Sequence, residues 1–190
     1  MRRLIYSMGV SLDGFIAGPA GEIDWSAPDE ELHRFHNRHM EETGVHLCGR
    51  GLYEAMVYWD TAEERESLSG PQLEFARIWR KTPKIVFSTT LDGVGENARL
   101  ERRGVGDEVA RLKAEPGKDL AVGGAGLAST CIDLGLVDEY RLFISPVLLG
   151  GGTRFFPPLQ ERIGLELLET RTFGSRVVYV RYAAAPAEPG

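Results

Sequence analysis

Short apolar runs alternate along this chain with segments whose apolar residues return at helical spacing. Residues 3–10 (RLIYSMGV) are apolar and β-prone, which predicts an internal first strand. Residues 45–48, 84–87, 98–101, 119–123 and 140–144 predict further strands. Leu32, Phe35, His39 and Met40 mark a helix announced by residues 25–29, with Ser26 as its N-cap and Asp29 three residues on. Leu73, Ala76 and Trp79 mark an amphipathic helix inside the polar connection of residues 60–83. Residues 107–114 predict a helix stopped by Glu115-Pro116-Gly117, and another helix follows the glycines at 123–126. Residues 165–173 and 177–182, joined by Gly174-Ser175, predict a closing antiparallel hairpin. The alternation implies an α/β fold with a mostly parallel sheet and an antiparallel edge.

A length of 190 residues fits one domain over residues 1–183, with an Ala/Pro-rich flexible tail over 184–190. The formal net charge of -6 argues against broad nucleic-acid binding. Asp13 interrupts the first apolar run before a signal peptide or membrane span is complete. Cys48 and Cys131 lie in apolar surroundings without CxxC spacing and read as buried free thiols of a reducing compartment. A cytoplasmic protein is the expectation.

Candidate chemistry gathers where strands end. Gly123, Gly124, Ala125, Gly126 and Leu127 lie between a strand and a helix. Such a turn lets backbone N–H groups approach a phosphate at a helix N-terminus, or it merely turns a corner. The dinucleotide fingerprint fits badly, because Ser129 stands where the third glycine belongs and Asp138 and Glu139 come too early for the ribose carboxylate. Gly49-Arg50-Gly51 is a second strand-to-helix glycine turn, and Arg50 is either an anion partner there or a surface cation. Ser88, Thr89 and Thr90 end a third strand and either face a ligand crevice or bond their own turn. The loop of residues 11–19 opens straight off the first strand, with Phe15 and Ile16 as anchors or ligand contacts. Asp29, Glu30 and Glu31 suit a helix start. His33, His36 and His39 recur in steps of three, but no carboxylate or cysteine completes a metal spacing, so a half-buried or solvated helix face is expected and no metal. In a mostly parallel sheet the three strand-end clusters converge on one rim, which suits one nucleotide-sized ligand.

Ser11-Leu12-Asp13-Gly14-Phe15-Ile16-Ala17, Gly49-Arg50-Gly51-Leu52-Tyr53-Glu54, Ser88-Thr89-Thr90-Leu91, Gly123-Gly124-Ala125 and residues 146–152 (PVLLGGG) occur in an order and spacing that resemble the dihydrofolate reductase-like superfamily. Within it the chain is most similar to the branch holding the C-terminal reductase domain of bacterial riboflavin biosynthesis. The resemblance implies a dihydrofolate reductase-like three-layer α/β/α fold with NADPH across the strand ends. Carried over by position, Gly49 and Arg50 would meet the adenosine phosphates, and Arg50 with Ser88 or Thr89 would read the 2′-phosphate. Gly123, Gly124, Ala125, Gly126 and Leu127 would hold the pyrophosphate, and Ala17 would lie against the nicotinamide.

The implied activity is hydride transfer from NADPH to a pyrimidine- or pterin-like small molecule, of the 5-amino-6-(5-phosphoribosylamino)uracil reductase type. A folate reductase holds its pterin with a helix carboxylate shortly after a Trp. Here Asp29, Glu30 and Glu31 follow Trp25 out of that register, and no basic residues for a folate tail are identifiable. The zinc-ligand motifs of the deaminase domain that usually accompanies the riboflavin-pathway reductase are absent from this sequence. Asp13, Asp24 and Glu30 are the candidates to orient substrate or relay its proton. A dihydrofolate reductase and a non-catalytic NADPH-binding module are the alternatives. Relatives are often dimers, and apolar residues in the closing hairpin would permit a homodimer.

Overall fold

The structure, a computed structural model, describes residues 1–65 and 67–185. Its strands are β1 (Leu4–Ser11), β2 (Phe15–Ala17), β3 (Thr43–Gly49), β4 (Lys84–Phe87), β5 (Ala98–Glu101), β6 (Asp119–Gly123), β7 (Glu139–Ser145), β8 (Thr153–Arg154), β9 (Leu165–Thr172) and β10 (Val178–Ala184). Its helices are α1 (Glu30–Glu41), α2 (Arg50–Met56), α3 (Ala62–Arg65), α4 (Gly70–Lys81), α5 (Val105–Ala114) and α6 (Ala125–Asp133). One-turn 3-10 helices cover Asp24–Ser26 and Val57–Asp60.

Eight strands form one sheet in the order β5-β4-β3-β6-β1-β7-β10-β9. The six from β5 to β7 run parallel, and β10 and β9 are antiparallel to their neighbours. Parallel strands here need covering on both faces, and the pleat supplies an apolar residue to each face in turn. Leu4, Tyr6, Val10, Leu47, Leu120, Val122 and Tyr140 pack with Val105, Val109 and Leu112 of α5 and Ala128, Cys131 and Ile132 of α6. On the other face Phe143 and Tyr179 meet Leu32 and Phe35 of α1, while Cys48 and Val86 meet Tyr53 of α2 and Trp79 of α4. The result is the three-layer α/β/α arrangement with a mixed sheet and a C-terminal hairpin. Both cysteines are buried and free. Among the described residues no helix is long and apolar enough to cross a membrane.

Three expectations are corrected. The N-cap of α1 is Asp29, whose carboxylate accepts from Leu32 N at 2.8 Å. Ser26 instead closes the 3-10 turn, its hydroxyl donating to Ile23 O. Pro28 is the reason: it forces Ala27 into an extended conformation (φ -58°, ψ 121°), so Ala27 cannot be the first helical residue after a Ser26 cap. The loop of residues 11–19 is partly a strand, since β2 pairs with β8 in a separate ribbon. The expected tail begins too early. Ala184 pairs with Leu165, its amide bonds Asp138 O, and the Ala185 amide bonds Gly164 O, so sheet pairing holds it. Residues 186–190 of that tail lie outside the described residues.

Candidate active site

Because β4, β3, β6, β1 and β7 are parallel, their carboxyl ends share one rim. Gly49 is the N-cap of α2, and Gly124 is the N-cap of α6 at φ +89°, a conformation that strains any residue with a Cβ. The two glycine turns touch. A Cβ on Gly49 would lie 3.6 Å from Leu127 Cβ, and one on Gly124 would lie 3.3 Å from Leu52 Cβ and 3.9 Å from Gly49 N. The N-terminal turns of α2 and α6 therefore sit side by side. A Cβ on Gly51 or Gly126 would meet nothing within 4 Å, so free space lies over both turns. Paired helix starts with open space above them suit a phosphate chain.

Arg50 stands at the edge of this ledge, half exposed. Its Nε donates to Glu54 Oε1 at 2.8 Å and its Nη1 to Thr90 Oγ1 at 2.9 Å. Ser88 Oγ accepts from the amides of Thr90 and Leu91 and so shapes the hydroxyl turn. Thr90 is thus the hydroxyl that Arg50 reaches, while Ser88 and Thr89 lie beside it. Arg102, which the sequence reading did not single out, donates to the carbonyls of Thr89 and Leu91. Its signal is positional: β5 pairs in parallel with β4, Phe87 opposite Glu101, so the residue after β5 emerges next to Ser88. Gly49, Arg50, Ser88, Thr89 and the Gly123–Leu127 turn share one stretch of the rim.

Ala17 lies on the β2–β8 ribbon at the end of β1, paired with Thr153. Gly152, at φ +118°, presses so close to the Ala17 carbonyl that a Cβ on it would collide there. The Asp13 carboxylate accepts from Ser11 Oγ at 2.6 Å, from Gly150 N at 2.7 Å and from Leu149 N at 3.1 Å. The Ser11 hydroxyl, then the Gly150 amide, hold Asp13 down to about 2. A group so acidic is ionised near neutral pH and has no proton to give.

Asp24 is exposed on the 3-10 turn, which lies over β1 where Ser26 Cβ faces Gly9. Glu30 is exposed at the start of α1 and pairs with Arg34 at 2.7 Å. The next residue, Glu31, bonds Arg171 and Gly174 N at the β9–β10 turn. That turn precedes Val178, which is paired with Ile144 near the carboxyl end of β7, so the start of α1 is on the rim side. The three candidate carboxylates are all at this end of the sheet, but Asp13 alone of them is tied into the loops.

The histidine row packs inward: His36 lies against Phe143, and His39 lies against Phe35 and Tyr179. Burial pushes His36 down to about 4 and His39 to about 3, so both are neutral at pH 7. Among the described residues no group of three metal-ligating side chains occurs. Grooves of about 670 Å³ and 790 Å³ open at the opposite, amino-terminal edge. Charges of both signs bound them, including Arg38, Glu41 and Lys118. The candidate site at the strand ends thus lies on the other edge of the sheet from these grooves.

The family model described as the RibD C-terminal domain matches residues 2–179. The uncharacterized protein YyaP of Bacillus subtilis (strain 168) is 36% identical over 182 residues, covering 95% of this chain and 94% of its own. A putative riboflavin biosynthesis protein from Shewanella sp. PV-4 superposes with a TM-score of 0.75 at 20% identity, covering 98% of this chain and 100% of that one. Dihydrofolate reductase from Enterococcus faecalis, solved with NADP(H), gives a TM-score of 0.66 at 14% identity over 97% of each chain.

Proposed function

The chain belongs to the RibD C-terminal domain family, and from that membership we propose that it is an NADPH-dependent reductase of a pyrimidine- or pterin-like small molecule. Within that class the 5-amino-6-(5-phosphoribosylamino)uracil reductase type leads. The observation that carries the reading is the contact between the two glycine turns, with open space above them and Arg50 at their edge. The dihydrofolate reductase that shares this fold was solved in complex with NADP(H), which supports a cofactor of that class.

Gly123, Gly124, Ala125, Gly126 and Leu127 hold the pyrophosphate with the free amides of α6, and Gly49 brings α2 alongside. Arg50 reads the 2′-phosphate, helped by the hydroxyls of the residue 88–90 turn and by Arg102. Ala17 walls the nicotinamide end. When bound, NADPH supplies the hydride, and the protein's part is to orient the two reactants and keep a proton within reach. Asp24 and Glu30, exposed on the rim side, are the groups placed to orient substrate or pass that proton. Exposed Leu12 and Leu148 border the loops at the same end and give a flat ring an apolar neighbour. The assembly is a homodimer through the hairpin, where Leu165, Leu167 and Leu168 of β9 are exposed, and the protein is cytoplasmic.

A titration with NADPH and NADH tests the cofactor part. Micromolar NADPH binding with weaker NADH binding supports it, and binding of neither overturns it. The competing reading is a non-catalytic NADPH-binding module. It is favoured by the engagement of Asp13 with the loop amides of Leu149 and Gly150, which occupies that carboxylate in holding the loops. NADPH oxidation with a panel of pteridines, ribosylaminopyrimidines and carbonyl compounds separates the two readings.

A further inference from the structure

The loop of residues 11–17 and the loop of residues 146–155 are stitched together along their length. Leu12 N donates to Val147 O and Phe155 N to Gly14 O, both at 2.9 Å. Phe15 pairs with Arg154, and Ala17 with Thr153. Asp13 is the acidic member of this stitching, and it ties three groups at once: the Ser11 hydroxyl and the amides of Leu149 and Gly150. Ser11 Oγ also accepts from Phe15 N at 2.9 Å, so the hydroxyl carries the tie on to the first residue of β2. At the far end Gly152 abuts the Ala17 carbonyl with no room for a side chain. Charge-assisted hydrogen bonds to backbone amides are among the stronger ones a loop can form.

We propose that Asp13 is a positioning residue: it locks the two loops into one frame that fixes Ala17 as the wall of the nicotinamide subsite, and it moves no proton itself. The inference rests on the NADPH reading above and adds how the nicotinamide end is held. The hydrogen bonds that make the clamp also keep Asp13 ionised at neutral pH, so the frame is closed whenever the enzyme would work. It follows that a loosened frame harms the nicotinamide half of the cofactor and spares the adenosine half, which binds at β3, β4 and β6.

Two probes read the halves separately: NADPH, and 2′,5′-ADP, which carries the adenosine and 2′-phosphate without the nicotinamide. In Asp13→Ala the Kd for NADPH is expected to rise about tenfold or more, while that for 2′,5′-ADP stays within about twofold. The fluorescence change of bound NADPH should fall with it. Gly152→Ala attacks the same frame from the other loop and should give the same split; it carries the test if Asp13→Ala does not fold. Unchanged NADPH affinity in both variants overturns the clamp, as does an equal loss for both probes, and either result leaves the cofactor reading standing. Wild-type protein that binds neither probe overturns the cofactor reading and the clamp with it.

Discussion

Arg50 divides its guanidinium between Glu54 on its own helix and the Thr90 hydroxyl of the neighbouring strand end. Both contacts are exposed, and exposed ion pairs contribute at most about 1 kcal/mol, so Arg50→Ala should leave the denaturation midpoint nearly unchanged. Its effect belongs to binding. A lost charge-assisted contact to a phosphate is worth about 1.5–3 kcal/mol, so NADPH affinity should fall about tenfold to a hundredfold. NADH affinity should hold, and parallel titrations would show the lost preference. Glu30→Gln removes an exposed pair with Arg34 and should lower turnover without touching NADPH affinity; unchanged turnover would release Glu30 from that role. At this scale the sequence was legible only where chemistry is local. Asp13 stood out as a candidate, yet its partners Leu149 and Gly150 lie 136 and 137 residues away, so the clamp could not be read from the loop alone.

Helix α1 carries its histidines against the β7 and β10 aromatics, and their neutrality sets an acid response. His36 and His39 sit at about 4 and about 3, and His46, buried beneath α4 beside Lys84, at about 4. Each is depressed below its unfolded value near 6.5, so the unfolded chain gains protons first on acidification. Stability is then full above pH ~6.5 and falls as the pH drops towards ~4, with a slope up to about 1.4 kcal/mol per pH unit for each group. Urea midpoints across this window would follow it, and His39→Leu should flatten the slope. Among the described residues its Nδ1 is buried without a partner, so no hydrogen bond is lost at that atom. Below this window Asp13 and Glu101, both lowered to about 2, add a second loss as they are protonated. At α6, Gly124→Ala meets both a positive φ and Leu52. It should destabilise by about 1–3 kcal/mol and weaken NADPH binding together, as thermal melts with and without NADPH would show. The period of the apolar residues disclosed these elements. The start of α1 was misread because Pro28 overrides a favourable capping pattern.

Across the molecule, a buried carboxylate and Arg3 together link four sheet strands. Glu139, 1% exposed, meets Arg141 at 2.6 Å, Arg3 at 2.8 Å and Arg181 at 3.2 Å, and Arg3 also holds Asp119. β7, β1, β10 and β6 are thereby joined at the edge opposite the site. Glu139→Gln leaves the buried Arg141 without its counter-charge and should cost about 3–5 kcal/mol, read as a lower urea midpoint at unchanged slope. On the outer strand β9, Leu165, Leu167 and Leu168 are 40%, 54% and 44% exposed. A long apolar edge of this kind invites pairing with a second copy. Leu167→Glu should shift the species seen by light scattering from dimer to monomer; a monomeric wild type would remove the homodimer from the proposal.

The sequence by itself determined the strands of the main sheet and its longer helices, the mostly parallel order with an antiparallel hairpin, and the glycine and hydroxyl clusters at the strand ends. Those properties are carried by neighbours in the chain: periodicity, turn residues and helix breakers act over a few positions. Strand order was decided only by the tertiary structure, because β6 inserts between β3 and β1 through pairings that no local pattern encodes. The same order sets Gly49 beside Leu127, brings Arg102 to the residue 88–91 turn, and closes the Asp13 loop on residues 149 and 150. These contacts join residues far apart in the chain, and a hydrogen bond reports on distance in space, which the sequence does not hold.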